Sequence, residues 1–200
     1  MRLDKFLSVT KTATRSEASK AAKHGKITVN GAVVTDCSTH INENTDKVTF
    51  FGQEVVYKQF IWIMMNKPSG IISASTDKKT KTVVDLLPPP LNSMGLFPCG
   101  RLDKDTVGLI LLTNDGELSH KLLSPKKHAE KLYRFKLSRP YDKSKGIENG
   151  IMMDGKLTKP AIISMKSDTE GEIVLTEGKY HQIKRMFEHA DSEVVFLERL

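Results

Sequence analysis

Short apolar segments separated by turn residues recur along most of this 200-residue chain. Residues 27–29 and 32–34 flank the pair Asn30-Gly31, which strongly favours a two-residue β-hairpin turn. Because helical patterns are interspersed among these segments, we expect an α+β fold. Further strands are predicted at 48–51, 55–56, 61–65, 107–113, 132–137, 161–165 and 172–176.

The first 58 residues form a distinct pattern. Leu3, Phe6 and Leu7 recur at helical spacing, and Thr14-Arg15-Ser16-Glu17 reads as a capping box for a second helix that Gly25 ends. These signals predict an αα-hairpin followed by β-hairpins. A new strand at residue 61 places a domain boundary near 57–60 and predicts domains at 1–58 and 61–200.

Basic residues are concentrated in the first 30 positions. This segment holds seven Lys or Arg against Asp4 and Glu17, in a chain of net charge +7. Spacings of three to five residues give a basic helical face, which indicates either a polyanionic partner or a solvated surface.

The remainder of the chain adds three helical patterns. One lies at 82–87 before Pro88-Pro89-Pro90, and a second lies at 117–123. Downstream of Gly178, the apolar residues at 183, 186, 187 and 190 lie on one face of a third helix.

The segment 100–109 displays Asp103 beside Arg101 in a polar loop between two apolar strands. Reactive acids are often displayed on loops of this kind. The alternative is that Asp103 and Asp105 only cap a helix or start a turn.

Several common chemistries lack their sequence signals. The phosphate-binding loop and the dinucleotide fingerprint are missing, and the histidines form no paired metal motif. Cys37 and Cys99 are too few for a zinc cluster or disulfide framework. We therefore expect no metal, and without a signal peptide or a bilayer-spanning segment we expect a cytoplasmic protein.

The N-terminal pattern resembles a known RNA-binding domain. Segments 2–7, 15–18 and 25–31 are similar to the small domain named after ribosomal small-subunit protein four. The resemblance implies that domain 1–58 binds structured RNA through its phosphates. The candidate RNA-binding residues are Arg2, Lys5, Arg15, Lys20 and Lys23.

The second domain resembles the RsuA-like pseudouridine synthases. Residues 100–109, followed by 111–116, are similar to the catalytic signature of that family. Its other motifs occur in order at 66–70, at Lys131-x-Tyr133 and at 177–186. Residues 124–128 resemble the member that acts on small-subunit ribosomal RNA more than its large-subunit relatives.

The resemblance implies isomerisation of uridine to pseudouridine in ribosomal RNA, without a cofactor. Asp103 is then the nucleophile or base that attacks the sugar or the uracil ring, or removes a ribose proton. Lys184 corresponds to the basic partner of this carboxylate, where relatives often carry Arg. Tyr133 corresponds to the aromatic residue that stacks on the target base, and its alternative is a core position.

Four further residues are candidate substrate contacts. Ile183 resembles the apolar residue beneath the uracil, and it can also pack in the helix stripe. Arg101 is expected to contact RNA, with a salt bridge to Asp105 as the alternative. Lys67 and Arg185 are also expected at the RNA, and Lys67 has solvation of a turn as its alternative.

The resemblance further implies a mixed, mainly antiparallel sheet in domain 61–200, which we expect to lack its last strand or strands. The expected partner is ribosomal RNA or a pre-ribosomal small-subunit particle, and the expected state is a monomer. Two other hypotheses stay open: a non-catalytic ribosome-binding or assembly factor with this fold, and a carboxylate-based glycosidase that releases free uracil.

Overall fold

The structure, a computed structural model, describes residues 1–124 and 129–200 and divides into two units. Unit 1 comprises Met1–Ile61 with Leu87–Leu96, and unit 2 comprises Trp62–Leu86 with Phe97–Leu200. The finer boundaries predicted above, 1–58 and 61–200, stay predictions. The small-subunit resemblance at 124–128 lies almost wholly outside the described residues.

Unit 1 contains two helices and an antiparallel sheet. The Thr14 hydroxyl accepts from the Glu17 N–H, and the Glu17 carboxylate accepts from the Thr14 N–H, so the predicted capping box is confirmed. Gly25 follows the second helix at φ +66°. The elements are α1 (Leu3–Val9), α2 (Arg15–Lys23), β1 (Ile27–Val29), β2 (Ala32–Val33), β3 (Val48–Phe50) and β4 (Gln53–Val55), with strand order β2-β1-β3-β4.

The core of unit 1 lies between the helices and the sheet. Leu3, Phe6 and Leu7 from α1 are buried together with Ile27 and Val48 from the sheet. The helical spacing of the apolar residues therefore corresponds to the face that α1 buries.

Unit 2 contains a seven-stranded sheet within the described residues. The strands are β5 (Trp62–Lys67), β6 (Phe97–Cys99), β7 (Val107–Thr113), β8 (Lys131–Leu137), β11 (Ile162–Met165), β12 (Glu170–Leu175) and β13 (Val194–Arg199). Their order is β11-β12-β8-β13-β7-β5, and β6 also pairs with β7. All pairs are antiparallel except β13 with β7, so the predicted mixed, mainly antiparallel sheet is confirmed.

Within the described residues, unit 2 also contains two α-helices and one small hairpin. They are α3 (Gly116–Leu123), α4 (Gln182–His189), and the hairpin of β9 (Met152–Met153) with β10 (Lys156–Leu157). In α4, the Phe187 ring lies 4.5 Å from the Phe135 ring and 5.3 Å from the Tyr141 ring, between ring centroids. The predicted apolar stripe of this helix is thus its buried face. No helix in the described parts of the chain is both long enough and apolar enough to span a bilayer.

The prediction of a helix at 82–87 is wrong. The structure has only a 3₁₀ turn at Val84–Leu86. The Asp85 carboxylate accepts from the N–H and the hydroxyl of Thr82, at 2.8 and 2.9 Å, and closes a short turn. The following prolines at 88–90 do not allow the helix to continue.

Candidate active site

The segment 100–106 links β6 to β7 and carries both Asp103 and Asp105. Immediately after it, Gly108 lies in β7 at φ +101°. A Cβ atom on Gly108 would lie 2.1 Å from the Arg199 carbonyl oxygen of β13. Only glycine permits this approach, so the motif glycine fixes the position at which the loop enters the sheet.

Lys67 binds this loop from the interior of the protein. Its side chain is fully buried, and Nζ donates to the carbonyl oxygens of Pro68, Lys104 and Thr106 at 3.0, 3.1 and 2.7 Å. Burial lowers the pKa of the Lys67 ammonium, and the charges of Asp105 and Asp103 oppose that shift. The ammonium is therefore already engaged inside the protein, and the expected surface contact with RNA gives way to a loop-holding role.

Two more hydrogen-bonded contacts fix the same loop. The Ser73 hydroxyl donates to the Leu102 carbonyl at 2.9 Å and accepts from the Leu102 N–H at 3.0 Å. The Gly70 N–H donates to the Lys104 carbonyl at 2.8 Å. The backbone on both sides of Asp103 is thus tied to the segment that follows β5.

Lys184 of α4 lies between the two carboxylates of the loop. Its Nζ donates to both oxygens of Asp105, at 2.6 and 2.8 Å, and lies 3.5 Å from Oδ2 of Asp103. Burial raises the pKa of the Asp105 carboxyl, but the hydrogen bond and charge of Lys184 outweigh this effect, and the net pKa lies below the ordinary value of an aspartate. The structure thus brings Lys184 to Asp103, as expected, but its closer partner is Asp105.

His181 is the second basic group beside Asp103. Its Nε2 lies 3.6 Å from Oδ1 of Asp103, and the Asp103 side chain keeps 27% exposure. His181 precedes α4 in the left-handed conformation, φ 48° and ψ 37°, which is uncommon and costly for a non-glycine residue. Such strained positions cluster at functional sites.

Tyr133 lies on β8, where it pairs in register with Arg199 of β13. Burial raises the pKa of the Tyr133 phenol, the charge and hydrogen bond of Arg199 oppose this, and the charge of Asp103 adds to it. Arg199 is itself fixed, because its Nε donates to the Leu109 carbonyl at 2.6 Å. Tyr133 is thus a buried ring whose pKa is affected by the charge of Asp103. A core position and a place beside the target base, the two alternatives given for Tyr133, are compatible.

The other predicted contacts differ in accessibility. Ile183 is buried on α4, and Arg101 is exposed on the loop. Asp105 binds Lys184, so the salt bridge given as the alternative for Arg101 is wrong. Arg185 forms a two-pronged ion pair with Asp154, at 3.0 Å for each nitrogen–oxygen pair, and is therefore engaged by protein in this structure.

The predicted RNA-binding residues all lie on unit 1. Lys5 is exposed on α1, and α2 presents Arg15, Lys20 and Lys23 to solvent. The Arg2 guanidinium binds the Asp4 carboxylate at 2.9 and 3.1 Å, and this hydrogen bond lowers the pKa of Asp4. We call these five residues the basic surface; three of them, Arg2, Arg15 and Lys23, line a cavity of ≈ 340 Å³ together with Asp4 and Asp36.

The described ranges 1–124 and 129–200 contain no cluster of three or more His, Cys, Asp or Glu side chains that could hold a metal ion. The arrangement around Asp103 offers a partly exposed carboxylate, a second carboxylate on Asp105 that is bound by Lys184, two basic side chains and a buried phenol. Such a set can attack an electrophilic carbon or move a proton.

Comparison with known proteins identifies the fold and its family. Residues 61–189 match the family model described as RNA pseudouridylate synthase. The chain belongs to this family. Residues 1–46 match the S4 domain model. The prediction of a pseudouridine synthase fold with a protein-four-like N-terminal domain is confirmed.

Full-length relatives support the assignment. This pseudouridine synthase is 44% identical to an uncharacterized RNA pseudouridine synthase of Bacillus subtilis and 34% identical to the ribosomal small subunit pseudouridine synthase A of Escherichia coli K12. Each match covers 100% of this chain and 87% of the relative. A crystal structure of a pseudouridylate synthase matches with a TM-score of 0.65 at 35% identity, covering 100% of this chain and 87% of that one.

Four residues of the synthase site were missed by the sequence analysis. Asp105 was considered only as a capping or turn residue and as a partner of Arg101, and Ser73, His181 and Arg199 had no assigned role. His181 lies inside the closing motif 177–186, so its place in that motif was the one available signal. The contacts of Ser73 and Arg199 join residues far apart in sequence, and no local pattern indicates them.

Proposed function

We propose that this pseudouridine synthase isomerises a specific uridine in small-subunit ribosomal RNA, with Asp103 as the group that starts the reaction. The observation that carries the proposal is the carboxylate of Asp103, partly exposed and within 3.6 Å of basic nitrogens on Lys184 and His181. The small-subunit target follows the relatives that carry that name.

The reaction requires a carboxylate but no external reactant. The bond between N1 of uracil and C1′ of ribose breaks, the base turns, and a bond forms between C5 and C1′. The hydrogen on C5 leaves, and N1 gains one, so the product is an isomer. Asp103 attacks the sugar or the base, or removes a ribose proton, and each route begins with the charged carboxylate.

Neighbouring side chains orient the carboxylate and the base. The Lys184 ammonium attracts the Asp103 carboxylate, and its two short hydrogen bonds to Asp105 restrict the movement of the Lys184 side chain. Tyr133 supplies an aromatic ring for the target uracil, with Ile183 as the apolar residue nearby. Lys67 is a positioning residue, because its three hydrogen bonds hold the backbone that carries Asp103.

RNA binding is divided between contacts to phosphates and contacts to the target nucleotide. We assign the phosphates to the basic surface of α1 and α2 and the flipped nucleotide to Arg101, since a base must leave its stack to be reached. Arg185 joins these contacts only if RNA displaces Asp154 from its guanidinium. The substrate is ribosomal RNA or a small-subunit particle, acted on by a cytoplasmic monomer.

The test is to map pseudouridine in ribosomal RNA from cells with and without this protein. We expect one small-subunit position to lose pseudouridine in the deletion strain and regain it with the wild-type gene. The Asp103→Asn gene, which keeps the shape of the side chain without its charge, should not restore it.

Purified protein separates the competing hypotheses. Incubation with small-subunit RNA should yield pseudouridine without free uracil. Release of uracil would identify a glycosidase, and an unchanged map in cells and in vitro would identify a non-catalytic factor. Loss of a large-subunit pseudouridine instead would overturn the small-subunit target.

A further inference from the structure

Tyr180 presents an aromatic ring to solvent beside the catalytic carboxylate. Its side chain is 72% exposed. One face of the ring is covered by the His181 imidazole, with centroids 3.9 Å apart and planes inclined by 16°. Parallel stacking of this kind leaves the opposite face of the Tyr180 ring available to a further planar group.

The stack is connected directly to Asp103. The same His181 imidazole that covers Tyr180 reaches within 3.6 Å of the Asp103 carboxylate. A base stacked on Tyr180 would therefore be separated from the reacting carboxylate by two aromatic side chains, which suits a nucleotide near the target in the same strand.

The backbone around Tyr180 is held by the β9–β10 hairpin. Lys179 Nζ donates to the carbonyls of Lys156 and Leu157 at 3.2 and 3.4 Å. Arg185 binds Asp154 in the turn of the hairpin. The ring is thus presented on an ordered support, which limits the conformational entropy lost when a base stacks on it.

Positive charge lies next to the exposed ring. The hydrogen-bond partners of Lys179 are neutral carbonyls, and the carboxylate of Asp154, which also feels the charge of Lys179, is itself paired with Arg185. Aromatic rings beside cations are the usual means of binding unpaired nucleotides, since the ring stacks on the base and the cation attracts the phosphate.

We propose that the exposed face of Tyr180 is a stacking subsite for an unpaired nucleobase that flanks the target uridine, with Lys179 beside the adjoining phosphate. The inference rests on the proposed function, because it takes RNA as the substrate. It adds a contact to a neighbouring nucleotide, and so makes Tyr180 a determinant of which uridines are accepted.

Single-turnover isomerisation of small-subunit RNA tests the subsite. Tyr180→Ala should raise the RNA concentration for half-maximal rate by about 5- to 150-fold, as expected for one lost base stack, and leave the saturating rate nearly unchanged. The matched variant Tyr180→Phe keeps the ring and should retain the wild-type value within about twofold. A fall in saturating rate alone would mean that Tyr180 only positions His181, and would overturn the subsite.

Abasic substitution identifies the base. Once the target uridine is mapped, each flanking nucleotide is replaced in turn by an abasic one. At one position, the abasic nucleotide should weaken RNA binding by the wild-type enzyme as much as Tyr180→Ala weakens binding of the unmodified RNA. The same abasic nucleotide should not weaken RNA binding by Tyr180→Ala any further. Independent losses at every flanking position would overturn the proposal.

A binding measurement keeps this proposal separate from the proposed function. Fluorescence anisotropy with a labelled 12-nucleotide oligouridylate needs no catalysis. Weaker binding by Tyr180→Ala but not by Tyr180→Phe supports the subsite even if wild-type protein forms no pseudouridine. Equal affinities of all three proteins would overturn the subsite even if the enzyme is active.

Discussion

Lys184 donates to both carboxylate oxygens of Asp105, although its expected partner was Asp103. The distance from its Nζ to Asp103 is 3.5 Å, against 2.6 and 2.8 Å to Asp105. Asp105 therefore holds the ammonium in place, and Asp103 remains the less engaged carboxylate of the loop. This division leaves Asp103 available for a substrate while its charged neighbour stays fixed.

Asp105 should contribute to stability in a pH-dependent way. Its pKa in the folded protein lies below the ordinary value of an aspartate, so the unfolded chain takes up the proton first as the pH falls. The contribution is present above a pH of about 4 and is lost as the pH falls through the folded pKa. Urea unfolding between pH 6 and 3 should show a smaller loss of stability for Asp105→Asn than for wild type. Identical acid dependence would contradict the ion pair in solution.

Asp103→Asn should abolish isomerisation while RNA affinity stays within about twofold, because only charge and nucleophilicity are removed. Single-turnover assays and anisotropy give the two values. Asp168→Asn, an exposed substitution in the turn between β11 and β12, is the matched control and should keep full activity. Substantial turnover by Asp103→Asn would remove Asp103 from the reaction.

Lys67→Met should destabilise unit 2 by about 1–3 kcal/mol, because buried carbonyl oxygens lose their donor. Lys104→Met changes an exposed lysine of the same loop and should stay within about 0.5 kcal/mol of wild type. Chemical denaturation compares the variants. Equal stabilities would show that the three hydrogen bonds of Lys67 add nothing to folding.

Gly108→Ala should be among the most damaging single substitutions. The new Cβ would overlap the Arg199 carbonyl, and the backbone would be strained at φ +101°. Gly155→Ala shares a positive φ, +74°, but its Cβ meets nothing within 4 Å, so it isolates the cost of strain at about 1 kcal/mol. Thermal unfolding should show a clearly larger loss for Gly108→Ala, and equal losses would argue against the close approach of β13.

The basic surface of α2 should set the salt dependence of RNA binding. Replacing Lys20 and Lys23 together by Gln should reduce the slope of log affinity against log salt by roughly one to two, because fewer counterions are released. The control replaces the exposed Lys143 and Lys145 in the same way. A similar change in both double variants would show that only total charge matters.

Contiguous signals made most of the fold predictable. A short continuous segment contains the whole signal for the capping box at Thr14 and Glu17. The same holds for the Asn30-Gly31 hairpin and for the amphipathic face of α4. The motif 100–109 likewise indicated the loop that carries Asp103. In each case, the structure depends mainly on local spacing.

Contacts between distant segments were not predictable. The burial of Lys67 depends on the pairing of β5 with β7, and Arg199 reaches Leu109 only because β13 enters the sheet between β7 and β8. The conformation of His181 was not predictable either, because a left-handed backbone is uncommon at any residue other than glycine. Contacts of this kind place the residues of the sequence motifs next to one another in the folded site.

The position of β13 also has a consequence for biosynthesis. Among the strands of the sheet that the structure describes, β13 is translated after all the others, yet it lies between β7 and β8 and joins them. Before residues 194–199 leave the ribosome, β7 can pair with β5 and β6 but not with β13, and Tyr133 has no Arg199 beside it. Because chains are made at about 5–20 residues per second, the nascent protein spends seconds with its first helices complete and its catalytic sheet still in two parts.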